Sequence, residues 1–523
     1  MKLFTKVLAL VLICCTLFSC AGGGAGETSP ATDTSAEPPV TEAPEKIFDL
    51  TGTVTYENGS LISTRGQSAF ALSEKEYKDN FKVSCDITVK AAGISGIMIF
   101  TDGEANGIYL AADFGAQNVS LYMVKESQFE QLGRRKCSFE KNQSIPMSIQ
   151  YSDGVIKAYF NENPADTDPY PKFEVNLSKV QLKKLPGNKV GFRVGNAIAD
   201  FRNISITEAD HAVSGDTYTN PVIQGADPDV LFYNGVYYLY QRVHGGNDVF
   251  RVSTSTDLVN WKTGNVIYKH NPRNSSSSYM SPNVFHYNGK FYLIFAAKNP
   301  TVGNHTLYCA VSDTPDGNFV HAGGQRPIHD NVAEIGGHPY IDPDTGKLYL
   351  SLVRFGGGNH IWMEEFSIVD DHLVPVEGTL SLCISPDQSY EKDSFGNISE
   401  GGVIIKHNGL YYMIYASGHY KGHYGEAYAI SENVLGPYTK YENNDFLTFT
   451  ADVDGCGDAI ITTSPDGKEL FLVYHMHSAI GTVEPRLTCI DRMKFIPDPN
   501  GGPDIISVYG PTSTPQPMPS GTH

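Results

Sequence analysis

Carboxylate, hydroxyl and imidazole side chains recur at matching positions in the second half of this chain. Each position stands eight to ten residues before the glycine of a tight turn: Asp227, Ser281, Gly336 with nearby His338, Glu400 and Asp458. Asp and Glu are seldom buried unless they are paired or functional, so three of them in one register point to a site. Two carboxyl groups facing one sugar-sized pocket are the machinery of glycoside hydrolysis, in which one protonates the leaving oxygen and the other activates water or attacks.

The turn glycines belong to five similar segments, each made of an apolar run, a tight turn and a second, aromatic run. They are Gly235, Gly289, Gly346, Gly409 and Gly467, at intervals of 54, 57, 63 and 58 residues. Asn-Gly or Asp-Gly between alternating apolar residues is a strong hairpin signal, and four of the five segments carry one. A repeat of about 58 residues matches a four-stranded propeller blade with added loops. The pattern predicts a five-bladed β-propeller over residues 215–511.

In a propeller the first strand of each blade lines the central channel. The acidic residues near the starts of these strands should therefore meet at one end of the channel, together with Asn283 and His338 on neighbouring positions. Asp227, Glu400 and Asp458 are the candidate carboxylates of this site.

Residues 47–209 read as a separate β domain. Short apolar runs at 81–89, 97–100, 147–151 and 156–160 are separated by Gly, Asn and Asp turns, which is typical of a β-sandwich. The whole chain, with 51 Gly, 30 Pro and 30 Tyr against two Trp, favours short strands and turns over long helices. The predicted fold class is all-β, with a jelly-roll sandwich before the propeller.

The first 19 residues place Lys2 and Lys6 before an apolar run, a pattern typical of an export signal. Cys20 follows this run and precedes Ala and three Gly, which resembles the lipobox of bacterial lipoproteins. The resemblance implies acylation of Cys20 and an extracellular protein anchored to the bacterial membrane. The alternative is a plain secretory signal with an incidental cysteine. Residues 20–46 predict a flexible linker, and residues 512–523 a Pro-rich tail.

The charge balance bears on the partners of this protein. Lys and Arg number 39 and Asp and Glu 58, which gives a net charge of −19. This excludes an electrostatic footprint for nucleic acid, and it leaves the lipid anchor as the only expected membrane contact. A neutral oligosaccharide or polysaccharide is the expected partner. Cys85 and Cys137 lie in one region and could pair, but scattered cysteines in large domains are expected to be free thiols.

Several motifs in the second half of the chain resemble glycoside hydrolase family 43. They are 225–230 followed by an Asn-Gly hairpin, 399–403, a W-x-x-G around Trp261, 435–444, 464–477 and 486–495. The resemblance spans about 218–511 and implies a five-bladed propeller, inversion at the anomeric centre, and β-xylosidase or α-L-arabinofuranosidase activity without an organic cofactor. It implies that Asp227 is the general base and Glu400 the general acid. The sandwich is similar to concanavalin or laminin-G domains, which implies either sugar binding or a spacer.

The chain departs from the family pattern at two positions. Gly336 stands where family members carry a third Asp, which raises the pKa of the acid by like-charge proximity. Asp458 stands where the family usually has a His, and we hypothesise that it replaces the missing carboxylate. Glu334 is a second candidate by strand alternation. The alternative is that Gly336 marks lost catalysis, which would leave a glycan-binding surface lipoprotein; a purely structural adhesion propeller is a third interpretation.

Four further residues are candidates for substrate contact. Tyr279 stands where the family often has Trp, so it is either a stacking platform for sugar or part of a blade core. Asn283 and His338 are expected near the channel mouth, and Arg486 is either a partner for a channel carboxylate or a surface residue.

A metal is not expected to take part in catalysis. His475 and His477 face one side of a strand, but no third ligand lies within sequence reach, which disfavours zinc. A structural calcium ion in the channel would favour Asp458 as an oxygen ligand.

Overall fold

The computed structural model describes residues 47–522 except 65, 67, 92, 104–105, 162–169, 211–212, 214, 243–248, 270–276, 322–325 and 423. The predicted signal, Cys20 and the linker lie outside the described residues. No helix within the described ranges is long and apolar enough to cross a membrane.

Residues 48–208 form two antiparallel sheets of seven strands that share one apolar core. The strands are β1 Phe48–Thr51, β2 Val54–Glu57, β3 Ser60–Ser63, β4 Ala69–Glu76, β5 Phe81–Ala91, β6 Ile94–Thr101, β7 Gly107–Asp113, β8 Asn118–Lys125, β9 Gln128–Lys136, β10 Ser144–Ser152, β11 Val155–Phe160, β12 Phe173–Asn176, β13 Lys189–Gly195 and β14 Ile198–Glu208, with one short helix α1 Lys179–Leu182. The sheet orders are β1-β4-β13-β6-β7-β8-β9 and β12-β11-β10-β5-β14-β3-β2. Strand β5 shows why these residues form sheets that cover one core. Its side chains alternate between buried and half-buried, because successive side chains of a strand point to opposite faces of the sheet.

The remaining strands form five antiparallel blades, as the turn spacing predicts. Two short strands come first, β15 Thr217–Tyr218 and β16 Ile223–Gln224. Blade one is β17 Ala226–Tyr233, β18 Val236–Arg242, β19 Val249–Ser255 and β20 Lys262–Lys269; blade two is β21 Ser277–Tyr287, β22 Lys290–Asn299, β23 Asn304–Ser312 and β24 Val320–His321. Blade three is β25 Glu334–Ile341, β26 Leu348–Phe355, β27 Asn359–Val369, β28 His372–Pro375 and β29 Ser381–Ile384; a 3₁₀ turn Ser389–Glu391 and a small hairpin, β30 Lys392–Asp393 and β31 Gly396–Asn397, follow. Blade four is β32 Ser399–His407, β33 Leu410–Ser417, β34 Gly425–Ser431 and β35 Thr439–Lys440; blade five is β36 Gly457–Thr463, β37 Leu470–Met476, β38 Leu487–Ile496 and β39 Ile505–Tyr509, before β40 Gln516–Pro517.

The blades close into a ring. The first strands β17, β21, β25, β32 and β36 each contact the next, and β36 contacts β17 again. Strand β16, which precedes blade one, pairs with β38 of blade five through Ile223 and Thr488. The two ends of the propeller sequence are thus joined in one sheet, which fixes the positions of the channel-lining strands relative to one another.

Every first strand contains the same irregularity near its start. The pairing register shifts there, and one residue takes a left-handed backbone conformation. These residues are Asp227 (φ 49°), Ser281 (49°), Gly336 (60°), Gly401 (64°) and Asp458 (57°). A bulge of this kind inserts an unpaired residue and re-aims its side chain, so the five positions are structurally equivalent. Asp458 is therefore the counterpart of Asp227, whereas Glu400 lies one residue before its blade's bulge.

The C-terminal segment predicted as a Pro-rich tail is packed against both domains. Gln516 is 2% exposed and donates a hydrogen bond of 2.8 Å to Glu174 of the sandwich. Arg492 of blade five donates to the carbonyls of Pro517 and Met518 at 3.0 and 2.9 Å. The segment thus connects the sandwich to blade five.

The six cysteines at 85, 137, 309, 383, 456 and 489 are free thiols, as expected. Five of them are buried. Burial raises the pKa of Cys309 and of Cys383 to about 12, so these two behave as core residues.

Candidate active site

A cleft of about 450 Å³ opens where the five first strands begin. Each blade contributes to its floor: Asp227 from blade one, Met280 and Ser281 from blade two, Ile335 and Gly336 from blade three, Glu400 and Gly401 from blade four, and Asp458 from blade five. The strand ends and loops around the floor add Arg242, Asn304, His305, Phe355, Asn359, Phe395, Ile398, His419, Tyr420, Tyr424, Glu484 and Arg486. The cleft therefore brings together the three carboxyls that the sequence predicts at one end of the channel.

Asp227 is held as an anion by an arginine. Arg486, which is 6% exposed, donates from Nη1 to Asp227 Oδ1 at 2.8 Å. Burial by itself would raise the pKa of Asp227, but Arg486, His475, Arg242 and the backbone N–H of Ser281 together outweigh it, and the pKa lies below the ordinary 3.8. Asp227 is thus ionised at neutral pH. Of the two alternatives for Arg486, the structure shows the partner of a channel carboxylate.

Glu400 has the opposite shift. Tyr424 donates its hydroxyl to Oε1 at 2.9 Å, and Asn359 donates its amide to Oε2 at 2.9 Å. Burial raises the pKa of Glu400 above the ordinary 4.5 against these two donors, and the anion of Asp227 raises it further. The pKa of Glu400 is therefore raised although Gly336 supplies no carboxylate.

Asp458 lines the same cleft as Asp227 and Glu400, and its surroundings disfavour ionisation. It is 9% exposed, and one of its oxygens lies within 4.8 Å of a ligand atom of both Asp227 and His475. Burial raises the pKa of Asp458 well above 3.8, and the neighbouring Asp227 and Glu400 raise it further. Within the part of the chain that the structure describes, no hydrogen-bond donor reaches this carboxyl. An unpaired buried anion is costly, so these surroundings favour the protonated carboxyl over the anion.

Gly336 leaves room for a side chain. A Cβ placed there would lie 3.5 Å from Val353 Cγ2 and 3.9 Å from the backbone nitrogen of Gly401, which is ordinary contact. Asp227 and Asp458 adopt the same left-handed conformation in their own blades, so the bulge does not demand glycine. Gly336 in place of the family Asp therefore removes a charge from blade three and does not distort its first strand.

His338 and Asn283 are buried beside the bulges. His338 is 7% exposed, and its Nε2 lies 3.8 Å from Asp458 Oδ1, too far for a hydrogen bond. Burial lowers the pKa of His338 to about 4, so the ring is neutral. Asn283 is 2% exposed and donates to the carbonyl of Ser281 at 3.2 Å, which steadies the bulge of blade two. The structure thus places both side chains in the strand framework under the cleft residues.

Tyr279 does not form a sugar platform in this structure. Its ring is 3% exposed and packs edge-on against Phe250 at 6.1 Å, with Phe295 at 5.4 Å. The neighbouring Met280 and Ser281 line the cleft in its place. Of the two alternatives for Tyr279, the structure shows the blade core.

Glu334 does not reach the acid either. It is fully buried and pairs with His329 at 2.9 Å and with Arg354 at 3.4 Å. The expectation relied on strict alternation along the strand, and the register shift between Ile335 and His338 breaks it. Glu334 belongs to a separate buried ion-pair cluster.

The channel residues do not fit a calcium ion. Asp227, Asp458 and His475 offer ligand atoms within 4.8 Å of one another. However, Arg486 Nη1 lies 2.8 Å from Asp227 Oδ1 and 3.3 Å from His475 Nε2. A guanidinium against two of three donors repels a divalent cation, and calcium takes six to eight oxygen ligands.

Sequence reasoning missed the loop residues that surround Glu400. Asn359 and Tyr424 are its hydrogen-bond donors, and Phe395 and His419 line the same side of the cleft. The only sequence signal was the segment 417–425, SGHYKGHYG, which concentrates two Tyr and two His between glycines.

A five-bladed β-propeller with paired carboxyls at one end of its channel is consistent with a glycoside hydrolase. Residues 218–500 match the family model of glycosyl hydrolases family 43, and the chain belongs to this family. It is similar to a xylan 1,3-beta-xylosidase from Vibrio sp, with 23% identity over 251 residues, or 44% of each chain. It is also similar to a putative beta-xylosidase from Xylanibacter ruminicola, with 27% identity over 280 residues, or 51% of this chain and 47% of that protein. The chain spans less than half the length of these curated relatives.

A solved structure extends the likeness. The crystal structure of a thermostable family-43 glycoside hydrolase is 32% identical, with a TM-score of 0.51, and covers 58% of this chain and 100% of that one. The share of this chain that the similarity covers, 58%, is about the length of the propeller.

Proposed function

We propose that the propeller is an inverting glycosidase that acts on β-xylosides or α-L-arabinofuranosides of plant-type glycans. The observation that carries the proposal is the pair Asp227 and Glu400, which line one cleft with pKa values displaced in opposite directions. Environments that push two carboxyl pKa values apart assign one as base and the other as acid. The two relatives, a xylan 1,3-beta-xylosidase and a putative beta-xylosidase, support the choice of sugar.

In the proposed reaction Glu400 gives its proton to the glycosidic oxygen as the bond to the anomeric carbon breaks. Asp227 takes a proton from a water molecule, whose oxygen attacks the same carbon from the opposite face. The sugar leaves with inverted configuration, and exchange with solvent returns a proton to Glu400 and removes one from Asp227. Two carboxyls and water complete the cycle, so we propose no cofactor.

Activity then requires Asp227 ionised and Glu400 protonated. It is lost as the pH falls through the lowered pKa of Asp227, below 3.8, and as the pH rises through the raised pKa of Glu400, above 4.5. Export and lipidation at Cys20, which we retain as a proposal, would place this reaction outside the cell, where polysaccharide is met.

The competing function is glycan binding without turnover, which Gly336 favours because it removes a family carboxylate. The two are separated by incubating the protein with aryl β-xyloside, α-L-arabinofuranoside and galactoside substrates, and by calorimetry with xylo- and arabino-oligosaccharides. Release of xylose or arabinose supports the enzyme. Binding without release of any sugar establishes the binder, and neither binding nor release leaves a structural propeller.

We propose that Asp458 is a neutral hydrogen-bond donor to a sugar hydroxyl in the cleft. Asp458→Asn keeps a neutral group of similar shape, so it should leave kcat/KM within about threefold and the high-pH limb unmoved. Asp458→Ala removes the donor and should lower kcat/KM by up to about tenfold, the loss of one hydrogen bond. The measurement is the pH dependence of kcat/KM for both variants. A downward shift of the high-pH limb in Asp458→Asn would show instead that Asp458 is an anion tuning Glu400.

A further inference from the structure

Two large aromatic side chains are left exposed at the rim of the cleft. Phe395 is 55% exposed and Phe355 40% exposed, and both line the cleft. Phe395 stacks on His419 with ring centroids 5.1 Å apart, and His419 stacks on Tyr420 at 4.8 Å. The guanidinium of Arg486 lies over Tyr420 at 5.3 Å. The stacked side chains thus run from Arg486, the partner of Asp227, through Tyr420 and His419 to Phe395 at the rim. Exposed apolar surface in a groove is typical of a ligand contact.

The stack is held in place by one carboxylate. Asp393 Oδ1 accepts from the backbone nitrogens of Phe395 at 2.7 Å and Gly396 at 3.1 Å. Its Oδ2 accepts from the backbone nitrogen of His419 at 3.1 Å. The turn that presents Phe395 and the loop that presents His419 are thereby tied together, so the ring face is presented in one orientation before any ligand binds.

Both aromatic residues belong to the segments that hold Glu400. Phe395 lies in the hairpin between β30 and β31, just before β32, which carries Glu400. Phe355 ends β26, and Asn359, the donor to Glu400, begins β27. The backbone of Asn359 pairs with that of Ile398, which joins the two segments. The aromatic surface therefore lies on the side of the acid.

Polar side chains also line the cleft. They are Arg242, Asn304, His305 and Glu484, which are charged or hydrogen-bonding groups that suit hydroxyls. Glu484 Oε1 lies 3.3 Å from the Nε of Arg486, the partner of Asp227. The aromatic side of the cleft is thus defined by the exposed rings of Phe355 and Phe395, on the segments that carry Glu400 and its donor Asn359.

The chemistry of the acid determines which part of the substrate meets the aromatic side. Glu400 can protonate only the oxygen that departs, so the departing group must lie next to Glu400. Sugar rings carry C–H faces that pack on aromatic rings, while ions and small alcohols offer no such face. We propose that Phe395, backed by His419, binds the leaving-group sugar together with Phe355 of the same cleft, so that the substrate is a saccharide with at least two rings across the cleft. This inference rests on the proposed function.

The test compares two leaving groups in one active site. Wild type, Phe395→Ala and Phe395→Tyr are assayed on β-1,4-xylobiose and β-xylosyl fluoride, and in parallel on α-1,5-arabinobiose and α-L-arabinofuranosyl fluoride. Fluoride does not reach the aromatic side, whereas the second sugar does. Phe395→Ala should lower kcat/KM for the disaccharide by about 10- to 100-fold, as expected for one lost apolar contact, and leave the fluoride within twofold. Phe395→Tyr keeps the ring and should restore the disaccharide rate.

A matched control is Phe129→Ala, which removes a Phe of similar exposure, 43%, from the sandwich and should change neither rate. Equal losses of Phe395→Ala on disaccharide and fluoride would overturn the proposal, because they would show a general structural effect. An unchanged disaccharide rate would overturn it as well. If wild type cleaves neither disaccharide nor fluoride, the proposed function fails and this inference fails with it; if it cleaves fluorides alone, the function stands and the leaving-group site is refuted.

Discussion

Asp227→Asn is expected to lower kcat/KM by about 10³-fold or more on every substrate that the wild type cleaves, since a general base contributes about 10² to 10⁴. The amide has the shape of the carboxylate but cannot accept a proton from water. The loss should therefore not depend on the leaving group, because water activation is needed for sugar and fluoride alike. The low-pH limb of the rate profile should also vanish, since it reports the ionisation of Asp227.

The measurement needs a control for folding. Asp227→Asn removes one of the two carboxylates beside the buried Arg486 and leaves Glu484 as the other, and breaking a buried pair costs up to about 3–5 kcal/mol. Thermal unfolding should accordingly shift downward, so the assay belongs well below the new midpoint. Retention of more than a tenth of the wild-type rate by folded protein would remove Asp227 from the role of base.

Glu400→Gln is expected to lower kcat/KM on disaccharides by about 10²- to 10⁴-fold and to abolish the high-pH limb. Glutamine has no acidic proton, so the leaving sugar must depart as an alkoxide. Fluoride needs little protonation, and glycosyl fluorides should keep activity within about tenfold of wild type. This dependence on the leaving group distinguishes the acid from the base.

The contrast between the two variants is the internal control. Equal losses on disaccharide and fluoride for Glu400→Gln would mean that the substitution displaced Tyr424 or Asn359 rather than removed a proton. In that case the acid lies elsewhere, and the neutral Asp458 is the next residue to substitute.

The architecture of the propeller was predictable because it depends on local signals. Turn glycines at near-constant intervals report hairpins, and hairpins of alternating apolar residues report blades. Asp227 and Asp458 followed from that register. The position of Glu400 was predicted only to within one residue, because the number of residues between the bulge and the turn glycine differs between blades. It is eight in blade four, from Gly401 to Gly409, but ten in blade three, from Gly336 to Gly346.

The expectations for Glu334 and Tyr279 had different grounds. Glu334 was placed by strict alternation along a strand, and the bulge in that strand reverses the alternation. Tyr279 was placed by its correspondence to a family Trp, with the blade core as the alternative, and its ring packs in that core. A bulge with Ser281 or Gly336 at its centre leaves no mark that sequence periodicity detects. It became visible only when all five first strands were compared.

The loop contacts and protonation states were beyond the reach of sequence. Asn359 begins a strand, whereas Tyr424 and Phe395 lie between strands, and the approach of all three to the cleft depends on long-range packing. The pKa of Asp458 is raised because burial and two neighbouring carboxyls from other blades act on one group. Three acids in register predict three similar groups, and only their spatial arrangement shows that their pKa values are displaced in different directions.

The central claim is that this propeller turns over glycosides by inversion despite Gly336. The most direct measurement is proton NMR of the first product released from β-1,4-xylobiose and, in parallel, from α-1,5-arabinobiose, recorded before the free sugar mutarotates. The account predicts α-xylose from the first substrate or β-arabinose from the second. Retained configuration would contradict the roles of Asp227 and Glu400, and the absence of any product from both disaccharides and from the two glycosyl fluorides would contradict catalysis itself.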